Sequence, residues 1–295
     1  MTPLQKGDLV AIVAPAKSIE KKFITYAVEL FEKQGYKIWL GQHVLGQFNY
    51  FSGTDEERCR DFQEALDHPD VKAIVCARGG YGAIRIIDRL QWASFIRSPK
   101  WIIGFSDITV FHQRVFRYEL ESIHASMPLN FEQNSTEALS TLFEVLAGDF
   151  QPFSIPSNPY NKTRKSQGKL VGGNLSILYS LLGTDEKIDF SNTILFIEEI
   201  GEQLYHLDRM LFAFSKAGVF DKIKGLIVGG MTGMKDTEIS IGMNYQEIIL
   251  SHLTYHKLPV CFDFPVGHID DNRALVVGKT VELIVTNTNT TLNYV

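Results

Sequence analysis

Residues 99–112 read Pro99-Lys100-Trp101-Ile102-Ile103-Gly104-Phe105-Ser106-Asp107-Ile108-Thr109-Val110-Phe111-His112. The apolar run Trp101–Ile103 has the character of a buried strand. Gly104-Phe105-Ser106-Asp107 follows with no loop between, and Ile108, Val110, Phe111, Val115 and Phe116 then recur at a spacing closer to that of a helix. A serine at a sharp strand-to-helix turn is held where a nucleophile meets substrate, beside backbone N–H groups able to stabilise an oxyanion. The same serine also suits a helix N-cap. Ile108 stands where the G-x-S-x-G elbow would carry its second glycine, so on this stretch alone both readings remain open.

Working outward, the first half alternates strand and helix. Leu9–Ala14, Lys37–Leu40, Val71–Cys76 and Trp101–Gly104 read as strands, and residues 19–34, 54–67 and 82–90 as helices. Thr54 with Glu57 three residues on forms a capping box. The strand–helix alternation implies an α/β fold with a parallel sheet covered on both faces. Residues 131–168 differ. A short helix is expected over 136–147, and the following stretch is rich in Pro, Ser, Asn and Lys, which suggests a linker. The expected organisation is an N-terminal parallel-sheet α/β domain over 1–135, a linker region over 136–168, and a smaller, mixed, β-rich domain over 169–295. In the last of these, 274–278 and 280–285 read as a closing hairpin.

Bulk properties narrow the function. The chain has 295 residues, is 45% hydrophobic and 21% charged, and carries a net charge of −5. That balance favours neither nucleic acid nor an anionic membrane as a partner. No apolar run reaches the ~18 residues of a membrane span. Met1–Asp8 shows no basic segment leading into an apolar one, so no signal peptide is expected. Three widely spaced cysteines, Cys59, Cys76 and Cys261, argue against a disulfide framework and a cysteine-rich zinc site, and are in keeping with a reducing cytoplasm.

Three further stretches offer chemistry. Arg78-Gly79-Gly80-Tyr81-Gly82 follows a strand. Its glycines permit close backbone approach to a ligand, although a plain tight turn fits equally. Glu198-Glu199-Ile200-Gly201-Glu202 ends an apolar strand, where a carboxylate can orient a histidine, form a solvated acidic turn, or bind metal. Pro265-Val266-Gly267-His268 places a histidine in a loop after another strand, with Asp270 and Asp271 able to form an Asx turn. Serine, glutamate and histidine thus occur in the chain order of the α/β-hydrolase triad, with the serine before the linker and the other two after it. That arrangement implies an active site built between two domains.

These motifs, together with Leu170–Leu175 and Leu207-Asp208-Arg209-Met210-Leu211, resemble those of the LD-carboxypeptidases, serine peptidase family S66, nearly end to end. The resemblance implies a Ser–His–Glu triad: Ser106 as nucleophile, His268 as general base and Glu198 as charge-relay acid, with Glu199 the nearby rival. It also implies an oxyanion hole from the backbone N–H groups of Asp107 and Gly80, and no cofactor. Arg78 would anchor a substrate carboxylate or hold the glycine turn. Tyr81 and Asn174 are candidate substrate contacts, and Asn174 and Arg209 read equally as a capping and a helix-surface residue. The implied substrate is a murein tetrapeptide losing its terminal D-alanine during cytoplasmic wall recycling, and the implied assembly is a homodimer. The alternatives are hydrolysis of microcin C-type peptidyl nucleotides and a non-catalytic murein-peptide binding protein.

Overall fold

The computed structural model describes Met1–Val295. Its strands are β1 (Leu9–Val13), β2 (Lys37–Leu40), β3 (Val71–Cys76), β4 (Trp101–Gly104), β5 (Ser122–His124), β6 (Phe153–Pro156), β7 (Arg164–Asn174), β8 (Thr193–Ile200), β9 (Gly225–Thr232), β10 (Val260–Cys261), β11 (Leu275–Val277), β12 (Thr280–Val285) and β13 (Asn289–Tyr294). The helices that matter below are α1 (Lys21–Lys33), α2 (Asp55–Asp67), α3 (Ala83–Ile86), α4 (Ala93–Arg97), α5 (Thr109–Arg117), α6 (Thr136–Leu146), α7 (Leu175–Leu181) and α8 (Leu204–Lys216). No helix is long and apolar enough to cross a membrane.

The chain divides into two compact units. The first comprises Met1–Asp149 with Asp270–Val276, the second Phe150–Ile269 with Val277–Val295. In the first, six strands lie in the order β11-β5-β4-β3-β1-β2, and β2, β1, β3, β4 and β5 run parallel. Their continuous apolar runs suit strands covered on both faces: every residue of β4 and β5 is buried. Helix α1 buries Ile24, Ala27 and Phe31. Helix α2 begins in the expected capping box, with Glu57 N–H donating to Thr54 Oγ1 at 3.2 Å and Thr54 N–H to Glu57 Oε2 at 2.8 Å. Phe62 of α2 stacks on Phe111 of α5 with ring centres 4.4 Å apart. Two such buried rings remove enough apolar surface from water to contribute several kcal/mol, on the order of 2–3 each.

The second unit holds a seven-stranded mixed sheet, β10-β9-β8-β7-β12-β13-β6. Strands β7 to β10 run parallel, and β7, β12, β13 and β6 pair antiparallel.

Two expectations about organisation are corrected. Residues 136–168 are not a linker: they form α6, β6 and the first part of β7, and the boundary between units falls after Asp149. The polar stretch Arg164–Lys169 pairs antiparallel with β12 while largely exposed, so its composition resembles a loop although its backbone hydrogen bonds are those of a sheet. Residues 275–277 are not the arm of a hairpin with 280–285. As β11 they join the first unit's sheet beside β5, while β12 pairs with β7 and β13. The returning segment is tied into the first unit by Ser135 N–H on the Asp270 carbonyl (2.9 Å) and Ala274 N–H on Thr141 Oγ1 (3.0 Å).

Candidate active site

In the first unit, β4 ends and a short 3-10 turn over Ser106–Ile108 leads into α5. Ser106 sits at that turn with φ +62°, in the left-handed region that few non-glycine residues occupy. Holding it there costs on the order of 1–3 kcal/mol, and such strain gathers at functional positions. Its neighbours Phe105 and Asp107 are buried and Ser106 itself is only half-buried. Below the turn, His112 Nε2–H donates to the Gly104 carbonyl, and its Nδ1 meets the Ser122 hydroxyl, both at 2.8 Å. Because a carbonyl only accepts, Nε2 carries a proton, and burial, which pushes the ring's pKa down to about 4, keeps it neutral.

The glycine turn lies against this serine. A β-carbon on Gly79 would fall 3.2 Å from Ser106 Cβ and 3.3 Å from Asp107 N, so glycine is what permits the approach. Gly80 is exposed with φ +107°. The Asp107 carboxylate is buried and accepts the Ala83 N–H at 2.8 Å, capping α3. Arg78 is half-buried and donates through Nη1 to the Ser18 carbonyl at 3.1 Å. Tyr81 is exposed and leans on the Phe51 ring, centres 5.9 Å apart.

In the second unit, the two glutamates at the end of β8 take separate roles. Successive side chains of a strand point to opposite faces, and a register shift between Ile197 and Glu199 against β9 adds a bulge, a device that re-aims side chains. Glu198 is fully buried, with Oε2 2.6 Å from His268 Nδ1 and 3.3 Å from its backbone N. A carboxylate only accepts, so Nδ1 carries the proton and the basic lone pair is on Nε2. Burial pulls the His268 pKa down, but the hydrogen bond and charge of Glu198 outweigh it, and the net shift is upward. The loop is pinned further: Thr232 Oγ1 donates to the His268 carbonyl (2.8 Å), and Gly230 N–H to the Val266 carbonyl (2.9 Å). Gly267 has φ +109°, and a β-carbon there would fall 2.5 Å from Glu198 Cβ, so only glycine lets the histidine loop close on the acid.

Glu199 is also buried, but it is committed elsewhere. It accepts from Asn174 Nδ2 (2.9 Å), Ile200 N (2.9 Å) and Ser176 N (2.8 Å) at the start of α7. Asn174 is the N-cap of α7, accepting Ile177 N–H at 3.2 Å. Its side chain therefore serves the helix end. Arg209 is exposed on α8 and lies 5.2 Å from the centre of the Tyr205 ring, a helix-surface setting. His124, in β5, is a fully buried packing residue. No group of three or more His, Cys, Asp or Glu side chains is placed to hold a metal ion.

Sequence reasoning missed Arg58, Thr232 and the carboxylate of Asp107. Arg58 is 1% exposed on the inner face of α2 and donates to the carbonyls of Pro15 and Gly82 and to Asp55. Its only signal was position, since it lies four residues before Phe62 on the buried stripe.

The chain is similar to known proteins over most of its length. A family model described as LD-carboxypeptidase N-terminal domain matches residues 10–125, and one described as LD-carboxypeptidase C-terminal domain matches 167–283. A murein tetrapeptide carboxypeptidase of Pseudomonas aeruginosa is 31% identical, the match covering 93% of this chain and 92% of that protein. The crystal structure of muramoyltetrapeptide carboxypeptidase from Oxalobacter formigenes superposes with a TM-score of 0.89 at 28% identity, covering 97% of this chain and 98% of that one. MccF, solved in complex with glutamyl sulfamoyl guanosine, shares the fold with a TM-score of 0.86 at 20% identity, covering 99% and 97%. The chain belongs to the LD-carboxypeptidases, the S66 family of serine peptidases.

Proposed function

We propose that this hydrolase removes the terminal D-alanine from murein tetrapeptides, cleaving the bond between an L-configured centre and the D-residue by acyl-enzyme chemistry. The observation that carries the reading is the buried Glu198 carboxylate 2.6 Å from His268 Nδ1, which leaves Nε2 as a base. Ser106 supplies the nucleophile. Its Oγ attacks the scissile carbonyl while His268 Nε2 takes its proton, and Glu198 stabilises the imidazolium that forms. The N–H groups of Asp107 and Gly80 bind the oxyanion. The tetrahedral intermediate collapses as His268 returns the proton to the D-alanine nitrogen, and water then releases the tripeptide by the same steps in reverse order of partners. Arg78, with donors beyond the one it gives to Ser18, is the cation assigned to the terminal carboxylate, and Tyr81 is a wall of the same subsite. The three free cysteines fit a reducing cytoplasm, and the assembly is read as a homodimer.

The test is release of D-alanine from a murein tetrapeptide, with an aminoacyl sulfamoyl adenosine as the competing substrate. Release by the wild type and its loss in Ser106→Ala are expected. Full activity in Ser106→Ala, or a strong preference for the sulfamoyl adenosine, overturns the reading. Tight peptide binding without product over hours identifies a binding protein instead.

A further inference from the structure

The Asp107 side chain is unusual for a helix cap. It is 1% exposed, and the partner it holds at 2.8 Å is a backbone N–H, that of Ala83. Gly82 N–H is a second hydrogen-bond donor to it. Burying a carboxylate on amide donors is costly, and a serine or asparagine would cap α3 with no charge to desolvate. Burial pushes the carboxyl up to about 6, against the pull of the Ala83 N–H and the Arg58 guanidinium.

What the carboxylate holds explains why the cost is borne. Ala83 directly follows the Gly79-Gly80-Tyr81-Gly82 turn, and Asp107 directly follows Ser106. One side chain therefore ties the glycine turn to the residue that follows Ser106. Gly79 is so close that a β-carbon would lie 3.3 Å from Asp107 N. Arg58 supports the turn from behind. It donates to the Gly82 carbonyl at 3.1 Å and to the Pro15 carbonyl, and its charge faces Asp55 and Asp107. Beyond these short-range ties, Lys17 N–H to the Gly79 carbonyl, at 3.4 Å, is a long contact.

We infer that the Asp107 carboxylate is a positioning residue that fixes the spacing between its own backbone N–H and the Gly79–Gly80 turn, so that the two oxyanion donors are set before substrate arrives. The inference rests on the proposed serine chemistry. Preorganised donors act mainly on the transition state, so losing the carboxylate changes kcat far more than KM.

The experiment compares Asp107→Ala and Asp107→Asn in the full chain by tetrapeptide kinetics, by the rate of Ser106 labelling with a fluorophosphonate, and by hydrogen exchange of the Ala83 amide. Asparagine keeps one side-chain oxygen for Ala83 N–H, and alanine keeps none. The expected result is a kcat loss on the order of 10² for alanine and below about tenfold for asparagine, with KM within about threefold in both. Fluorophosphonate labelling slows in parallel with kcat. The Ala83 amide exchanges at least about tenfold faster in Asp107→Ala while α1 amides are unchanged. A folded Asp107→Ala with kcat within about threefold of wild type overturns the inference, as does an equal loss in both variants without faster Ala83 exchange. If the wild type neither releases D-alanine nor labels at Ser106, the serine reading itself fails; faster Ala83 exchange then marks the carboxylate as structural only, which also overturns the positioning role.

Discussion

Glu198 and Glu199 are neighbours, equally buried, and chemically identical, so replacing each with glutamine separates relay from scaffold. In Glu198→Gln the side chain keeps its shape and loses its charge. The Nδ1–H of His268, now 2.6 Å from a carboxylate oxygen, faces an amide that stabilises neither the required tautomer nor the imidazolium. A triad acid neutralised in this way lowers turnover by roughly 10³–10⁴, or about 4–5 kcal/mol of transition-state stabilisation. Stability is expected to hold or rise, because a buried carboxylate whose Oε1 has no hydrogen-bond partner is replaced by a neutral group. Glu199→Gln behaves in the opposite way. Its two oxygens accept three N–H groups, from Asn174, Ile200 and Ser176. Glutamine offers one oxygen, and its NH₂ must face a donor. Losing one such buried bond costs about 1–3 kcal/mol, which at a urea slope of roughly 1–3 kcal/mol per molar lowers the midpoint by around 1 M. Catalysis below that midpoint is expected to stay within about threefold of wild type. The assays are D-alanine release and urea unfolding, run on both variants. Equal loss of activity in both, or loss in Glu199→Gln alone, refutes the division of roles.

Other expectations follow from the same geometry. The log of kcat/KM should rise with pH through an inflection above the ordinary histidine value of about 6.5, because Glu198 holds the His268 pKa up against burial and only neutral Nε2 accepts the serine proton; an inflection that does not fall in Glu198→Gln contradicts this. The sign for stability is the reverse: protonated His268 stabilises the fold at low pH, and that contribution is lost as pH rises through its raised pKa. Gly267→Ala places a β-carbon 2.5 Å from Glu198 Cβ at a φ of +109°, so it should lower kcat/KM by at least the ~1–2 kcal/mol of left-handed strain, about tenfold; wild-type kinetics would show that the loop relaxes without cost. Thr54→Ala removes one half of the α2 capping box and should cost about 1 kcal/mol in urea unfolding while leaving kcat unchanged; altered kcat would link this helix end to catalysis.

Legibility in the sequence followed the range of the contacts involved. The strands β1, β3 and β4 were readable because burial on both faces writes an uninterrupted apolar run. The α2 cap was readable because all its partners lie within four residues. Strand β7 was not, because its polar half becomes a strand only by pairing Arg164–Lys169 with Val285–Thr280, more than a hundred residues away. Likewise β11 is three residues long, and nothing local shows that it leaves its hairpin-like neighbour for β5 in the other sheet. At the site, the resemblance located Ser106, Glu198 and His268, but the acidic run read equally as a solvated turn. Three acids in five residues suggest exposure, whereas Glu198 and Glu199 are both buried. What each one meets across its face of the sheet, a histidine or a helix start, is information the local sequence does not contain.

Preorganisation is local to each unit. In the first, the left-handed Ser106, the close approach of Gly79 and the Asp107 carboxylate, which accepts the Ala83 N–H at 2.8 Å, form one set. In the second, Glu198, His268, Thr232 and Gly267 form another. The chemistry remains non-additive, because a proton transfer needs both partners at once. A double variant such as Ser106→Ala with Glu198→Gln is therefore expected to lose no more activity than Ser106→Ala alone.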